Sequence, residues 1–240
     1  MELVDGLYEQ LITTRLRTAI EAIEAAGGFA PTEPVGTTEL SQVISVHLAA
    51  VIERAVAGVA EKDRAAAATA IVNDIVRSLA GRVPRAVNEE DEVIGAPGLL
   101  TAVVAESGFA GAEVPARPTT PLAASDLLTN ARGEPTIGSE LLLELRSADG
   151  VDLICAFIRW SGIRRLRDAI QALTSAGKSV RIITTTYLGS TERKALDELV
   201  RLGAQVTVSY ETDRTRLHAK AWLFKRRSGF STAYVGSSNL

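Results

Sequence analysis

From residue 7 to residue 81, apolar positions recur at the 3.6-residue spacing of amphipathic helices. In "LYEQLITTRLRTAIEAIEAA", Leu7, Leu11, Leu16, Ile20 and Ile23 fall near one face, and Gly27 and Gly28 end the run. "TTELSQVISVHLAAVIERAV" predicts a second helix capped by Thr37 or Thr38. "EKDRAAAATAIVNDIVRSLA" predicts a third, stopping at Gly81. Together they read as a small helical bundle. His47 lies among Ile44, Val46, Leu48 and Val51 with no second ligand-type side chain at metal spacing, so it reads as a structural residue.

Between residues 82 and 137 the periodicity breaks up. Pro84, Pro97, Pro115, Pro118, Pro121 and Pro135 interrupt any long element, which predicts a linker with one short helix at "LLTAVVAE". From Gly138 the pattern becomes an alternation of helix and strand: "SELLLELRSA" helical, "VDLICAFI" a buried strand, "SGIRRLRDAIQALTSAG" helical, "SVRIITTT" a strand, "STERKALDELVRLG" helical and "AQVTVSY" a strand. "RLHAKAWLF" and "STAYVGS" follow as a hairpin around "KRRSGF". The expected fold class is α/β, a mixed, largely parallel sheet flanked by helices after an N-terminal helical region. The expected divisions are a helical region over 1–81, a Pro/Gly-rich linker over 82–137 and an α/β domain over 138–240, truncated at its C-terminus. In such sheets ligands bind outside the carboxyl ends of the parallel strands.

Composition fits a globular chain: 240 residues, 46% hydrophobic and 23% charged. The apolar runs fall short of the roughly 20 residues of a bilayer span, and the acidic "MELVDGLYEQ" is unlike a secretory leader, so a cytoplasmic location without a membrane partner is expected. The lone cysteine, Cys155, reads as an inert core thiol. The net charge of −3 hides an asymmetry: residues 1–158 hold 11 Lys and Arg against 23 Asp and Glu, whereas residues 159–240 hold 15 against 6. A basic second half suits a polyanionic partner.

The candidate chemistry lies at the end of that half, in "RLHAKAWLFKRRSGFSTAYVGSSNL". Strand side chains alternate, so His218, Lys220 and Trp222 share one face. Leu217, Ala219, Ala221 and Leu223 share the other, which reads as the core face. The His-x-Lys spacing puts an imidazole beside an ammonium. The next strand ends in "GSSN", a glycine followed by the hydroxyls of Ser237 and Ser238 and the amide of Asn239, groups suited to phosphate oxygens. Thr185, Thr186 and Tyr187 end one parallel strand and Arg159 and Trp160 end another, where they border the same site. Arg214, Arg216, Lys225, Arg226 and Arg227 flank the histidine strand and are expected to contact phosphates, with Arg159.

"HAK" followed by "GSSN" resembles the first part of the HKD signature of the phospholipase D superfamily. The wider stretch from "SDLLTNARGEP" to "RLHAKAWLF" resembles the phospholipase-D-like domain near the N-terminus of bacterial DEAD/DEAH-box helicases. The resemblance implies a phosphodiesterase acting on DNA without cofactor or metal. His218 would be the nucleophile, Lys220 and Asn239 would hold the nonbridging oxygens, and Ser237 would support them. The superfamily's aspartate five residues after the lysine is Lys225 here. One motif is present where an active site uses two, so the second would come from another subunit or from residues beyond Leu240. A nucleic-acid-binding or interaction module, catalytically silent, is the alternative. No Gly-x-x-x-x-Gly-Lys-Ser/Thr loop occurs, so ATPase activity would lie outside these residues.

Overall fold

A computed structural model describes residues 3–104, 114, 116–214 and 216–240. The chain divides into two compact units, Met1–Thr101 and Ala102–Leu240.

Among the described residues the first unit holds three α-helices, α1 (Thr14–Ala25), α2 (Leu40–Ala57) and α3 (Glu61–Arg82), and a short 3-10 turn at Glu89–Asp91. α1 starts seven residues later than its apolar period suggests, because the Thr13 hydroxyl accepts from the Leu16 amide and caps the helix there. Neither Thr37 nor Thr38 caps α2, whose N-cap is Glu39 without a side-chain bond. α3 runs through Gly81 to Arg82. No helix forms over 99–104, and residues 105 and 106 of the expected short helix lie outside the described residues. Leu16 and Ile20 are the only buried hydrophobic residues of this unit among those described. By length and composition α2 is apolar enough to cross a membrane, and none of it is buried. No long uninterrupted apolar run marks it, because Ser41, Gln42, Ser45, His47, Glu53 and Arg54 break it into short apolar stretches.

The second unit is α/β. Its elements are α4 (Ile137–Ser147), β1 (Gly150–Cys155), α5 (Trp160–Ser175), β2 (Ser179–Thr185), α6 (Arg193–Arg201), β3 (Gln205–Ser209), β4 (Lys220–Lys225) and β5 (Thr232–Val235). They form one five-stranded sheet in the order β3-β2-β1-β4-β5. β1, β2 and β3 are parallel, and β4 and β5 join as an antiparallel hairpin against β1. One face is the core: Val151, Leu153, Val180, Ile182, Trp222 and Phe224 pack with Leu145, Ile163, Ile170 and Leu199 of the helices.

The register reverses the face assigned to β4. Leu153 pairs with Trp222 and Val151 with Phe224, and directly paired residues point the same way, so the even-numbered side chains enter the core. Phe224 is fully buried, whereas Leu223 is 39% exposed.

A buried polar network closes the β5 side. Glu140 and Glu144, one turn apart on α4, are both fully buried. Glu140 Oε2 accepts from the amides of Thr119 (2.8 Å) and Thr120 (3.2 Å). Tyr234 donates to Glu144 (2.9 Å) and lies 2.9 Å from the Thr120 hydroxyl. Residues 119 and 120, inside the Pro-rich stretch, are thereby stitched to the α/β unit.

Candidate active site

The ladder between β1 and β4 continues past the strand ends. The Ala156 amide donates to the Ala219 carbonyl (3.1 Å), which brings Phe157 opposite His218. Their rings meet edge to face with centroids 5.9 Å apart. His218 thus lies two residues before β4, exposed at the carboxyl end of β1, rather than inside the strand. Lys220 begins β4 on the core face, only 9% exposed. Its Nζ donates to the His218 carbonyl (3.0 Å) and stands 3.2 and 3.3 Å from the two ring nitrogens. A cation nearly withdrawn from water is therefore held against an accessible imidazole. Beside Lys220 in the register is Cys155, whose thiol donates to the Phe157 carbonyl and is pushed up in pKa by burial.

Beyond β5 the chain folds back over the same end. The Gly236 amide donates to Lys220 O (3.2 Å), Leu240 N donates to Phe157 O (3.2 Å), and Leu240 O accepts from Arg159 N (2.7 Å). This return path crosses the first turn of α5 at Gly162, where a Cβ would stand 2.4 Å from the Leu240 carbonyl carbon. Asn239 consequently lines an open cavity of about 680 Å³ with Phe157, Arg159, Arg164, Arg165 and Ser190. Ser237 is exposed, and its hydroxyl makes no hydrogen bond among the described residues.

The end of β2 contributes structure and one ring. Thr184 and Thr185 are fully buried; Thr184 donates to Ala156 O (3.2 Å), and the Thr185 hydroxyl accepts from Tyr187 N (3.1 Å). Thr185 is therefore turned inward. Tyr187 stacks near Phe157 at 6.5 Å, and the Arg216 guanidinium lies 5.3 Å from its ring centre. Trp160, at the start of α5, carries Lys194 of α6 over its ring at 4.5 Å, while its amide donates to Glu192 (2.9 Å). Arg214 is exposed in the β3–β4 connection.

Lys225, Arg226 and Arg227 lie elsewhere. A six-residue strand separates them from the histidine, about 20 Å at strand rise, so they sit at the opposite end of the sheet. Lys225 pairs with Asp152 (2.7 Å), and Arg227 stands 3.7 Å from Asp149. The side chain of Arg226 is withdrawn from solvent, its guanidinium held by Glu144 and by Ser147 (2.7 Å). Proximity in sequence to the histidine strand misplaced all three. Asp152, bonded first by Arg181 and then by Lys225, is held down to a pKa of about 2.

This contrast extends across the unit. Of the 15 basic residues after residue 158, eight form ion pairs: Arg167, Lys178, Arg181, Arg193, Arg201, Lys225, Arg226 and Arg227. Arg159, Arg164, Arg165, Lys194, Arg214, Arg216 and Lys220 form none among the described residues. The connectivity places all seven at the carboxyl end of the parallel strands or in the helix turns that follow them. The cations without an ion partner among the described residues thus gather at the end of the sheet that carries His218, where Glu192, Glu211 and Asp213 also lie.

The sequence pattern described as "Cardiolipin synthase, PLD-like domain" matches residues 141–240. This stretch is a phospholipase-D-like domain. Phosphodiesterase-type phosphoryl transfer is the chemistry of that family. The phospholipase-D-like domain thus includes the whole sheet, the His218–Lys220 pair and the closing Gly-Ser-Ser-Asn segment. Among solved structures, a polyphosphate kinase from Porphyromonas gingivalis is similar at 16% identity over 39% of this chain, with a TM-score of 0.28. The match spans 15% of that kinase's length. No curated protein matches the chain.

Sequence reasoning missed Phe157, Gly162, Arg164 and Arg165. Phe157 reads as one more apolar residue in "VDLICAFI", and Gly162 as a weak helix position. The one available signal was the doublet Arg164-Arg165 so soon after a strand end.

Proposed function

We propose that the phospholipase-D-like domain is a metal-independent phosphodiesterase acting on DNA, with His218 as nucleophile. We further propose that it serves as the N-terminal nuclease domain of a DEAD/DEAH-box helicase. The observation that carries the catalytic reading is the near-buried Lys220 ammonium within 3.3 Å of both ring nitrogens of an exposed imidazole. A neutral imidazole nitrogen attacks phosphorus, forming an N–P bond as the P–O bond to the leaving strand breaks. Lys220 turns its ammonium from the imidazole to a nonbridging oxygen, where charge develops, and Asn239 adds an amide donor. The leaving oxygen takes its proton from a general acid, which the superfamily pattern assigns to a second motif's histidine, in another copy or beyond Leu240. Water then cleaves the phosphohistidine and restores the ring.

Support for DNA comes from the seven cations at this end that form no ion pair among the described residues, and from the rings of Phe157 and Tyr187 beside the histidine. The test is cleavage of labelled DNA in EDTA. The unmodified protein is expected to cut and His218→Ala to lose cleavage while still binding DNA. Cleavage surviving in His218→Ala would overturn the nucleophile. One observation favours a binding module instead: Lys225 occupies the motif's aspartate position and is engaged by Asp152. On that reading, DNA binding without cleavage is the result.

A further inference from the structure

The cavity beside the histidine carries more charge than one phosphate needs. Arg159 reaches it from the end of β1, and Arg164 and Arg165 from the first turns of α5. None has an acidic partner among the described residues. Glu192, whose Oε2 accepts from the Trp160 amide (2.9 Å), forms no ion pair with any of the three. Three like charges around one open cavity repel one another unless an anion enters. The cavity shares Phe157 with the histidine, since that ring lines it and meets the imidazole edge to face. Its far wall is Asn239, beside Leu240, whose backbone rests against Gly162. At about 680 Å³ it falls in the range of ligand sites, with room for a nucleotide.

We propose that this cavity seats the phosphate adjoining the scissile one on a single-stranded polynucleotide, held by Arg159, Arg164 and Arg165. The inference rests on the nucleic-acid reading above and makes it specific. The substrate is a strand with at least two consecutive phosphodiesters, not an isolated diester. Half-buried Phe157, with Tyr187 stacked near it, offers a ring face to the base between the two phosphates. Duplex DNA keeps its bases stacked internally and cannot use that face.

The test is fluorescence anisotropy of a labelled single-stranded oligothymidylate with the full chain, between about 50 and 200 mM salt. Arg164 and Arg165 are exposed, so Arg164→Gln/Arg165→Gln should keep the fold, as checked by thermal midpoint. The double variant is expected to bind at least about tenfold more weakly at the low-salt end. Its log K against log salt slope should shrink by about 1.4, two single-strand contacts at about 0.7 each. Arg164→Lys/Arg165→Lys, which keeps the charge, should recover most of the salt slope. If the unmodified protein binds the oligonucleotide and the glutamine variant matches it in affinity and slope, the subsite is overturned and the nucleic-acid reading stands. If the unmodified protein does not bind, both fall.

Discussion

A hydrogen in place of a methyl at residue 162 decides whether the closing segment can lie across α5. With a Cβ there, the Leu240 carbonyl carbon would be 2.4 Å away, and the obstacle is backbone rather than a flexible side-chain tip. Gly162→Ala must therefore push apart the Leu240 bonds to Phe157 and Arg159, which hold Asn239 at the cavity. The expected cost is about 1–3 kcal/mol, as for overpacking elsewhere, measured as a fall in the urea midpoint at unchanged slope. A midpoint equal to that of the unmodified protein would show that the segment does not rest on α5. His218, Lys220, Ser237 and Asn239 could be singled out in the sequence because a His-x-Lys pair is followed one strand later by Gly-Ser-Ser-Asn, a combination more specific than either part alone. Gly162 was not, because its role depends on a backbone nearly eighty positions away.

At the scale of the element, β4 shows where sequence pattern misleads. "LHAKAWLF" offers Leu217, Ala219, Ala221 and Leu223 as one apolar set and Trp222 with Lys220 as the other, and aliphatic content favoured the first. Pairing with β1 chose the second. Phe224→Ala should then cost about 3–5 kcal/mol, because the ring is fully buried and packs against Trp222 at 5.6 Å and Tyr234 at 5.8 Å. Leu223→Ser, one position away, should shift stability by no more than about 0.5 kcal/mol. Chemical denaturation of the two variants side by side decides the matter: equal losses, or a larger loss for Leu223→Ser, would contradict the register. Helix placement was easier. α5 and α6 carry apolar residues at helical spacing, and their observed bounds depart from the expected ones by only a few residues, mostly at the termini.

Across the whole molecule, the carboxylates of the α/β unit set its response to acid. Asp152, through Arg181 and then Lys225, and Glu198, through Arg201 and then Arg167, are each held at a pKa of about 2. Asp149 is also lowered, first by the Arg227 amide. A carboxylate depressed in the folded state binds protons less readily than in the unfolded chain, so its contribution is complete above the ordinary carboxylate range and fades as pH falls toward the folded value. Stability should hold from neutrality to about pH 5 and decline between about pH 4 and 2. Asp152→Asn should be less stable than the unmodified protein at neutral pH, with the difference vanishing near pH 2. A difference independent of pH in urea titrations would show that the Asp152 ion pairs contribute nothing.

The sequence by itself determined the order of elements in the second unit, the hairpin that ends it, and the residue types at the candidate site. Those properties reside in local periodicity, turn residues and motif spacing, which a linear string contains. It also determined that positive charge gathers after residue 158. Which of those charges are available was decided only by the tertiary structure. Strand direction carried Lys225, Arg226 and Arg227 to the far end of the sheet, where Asp152, Glu144 and Asp149 meet them. The same topology left Arg159, Arg164 and Arg165 around one cavity with no ion pair among the described residues. The physical reason is that an ion pair depends on distance in space, and distance here is set by strand register and crossover direction, neither of which is encoded within any one segment.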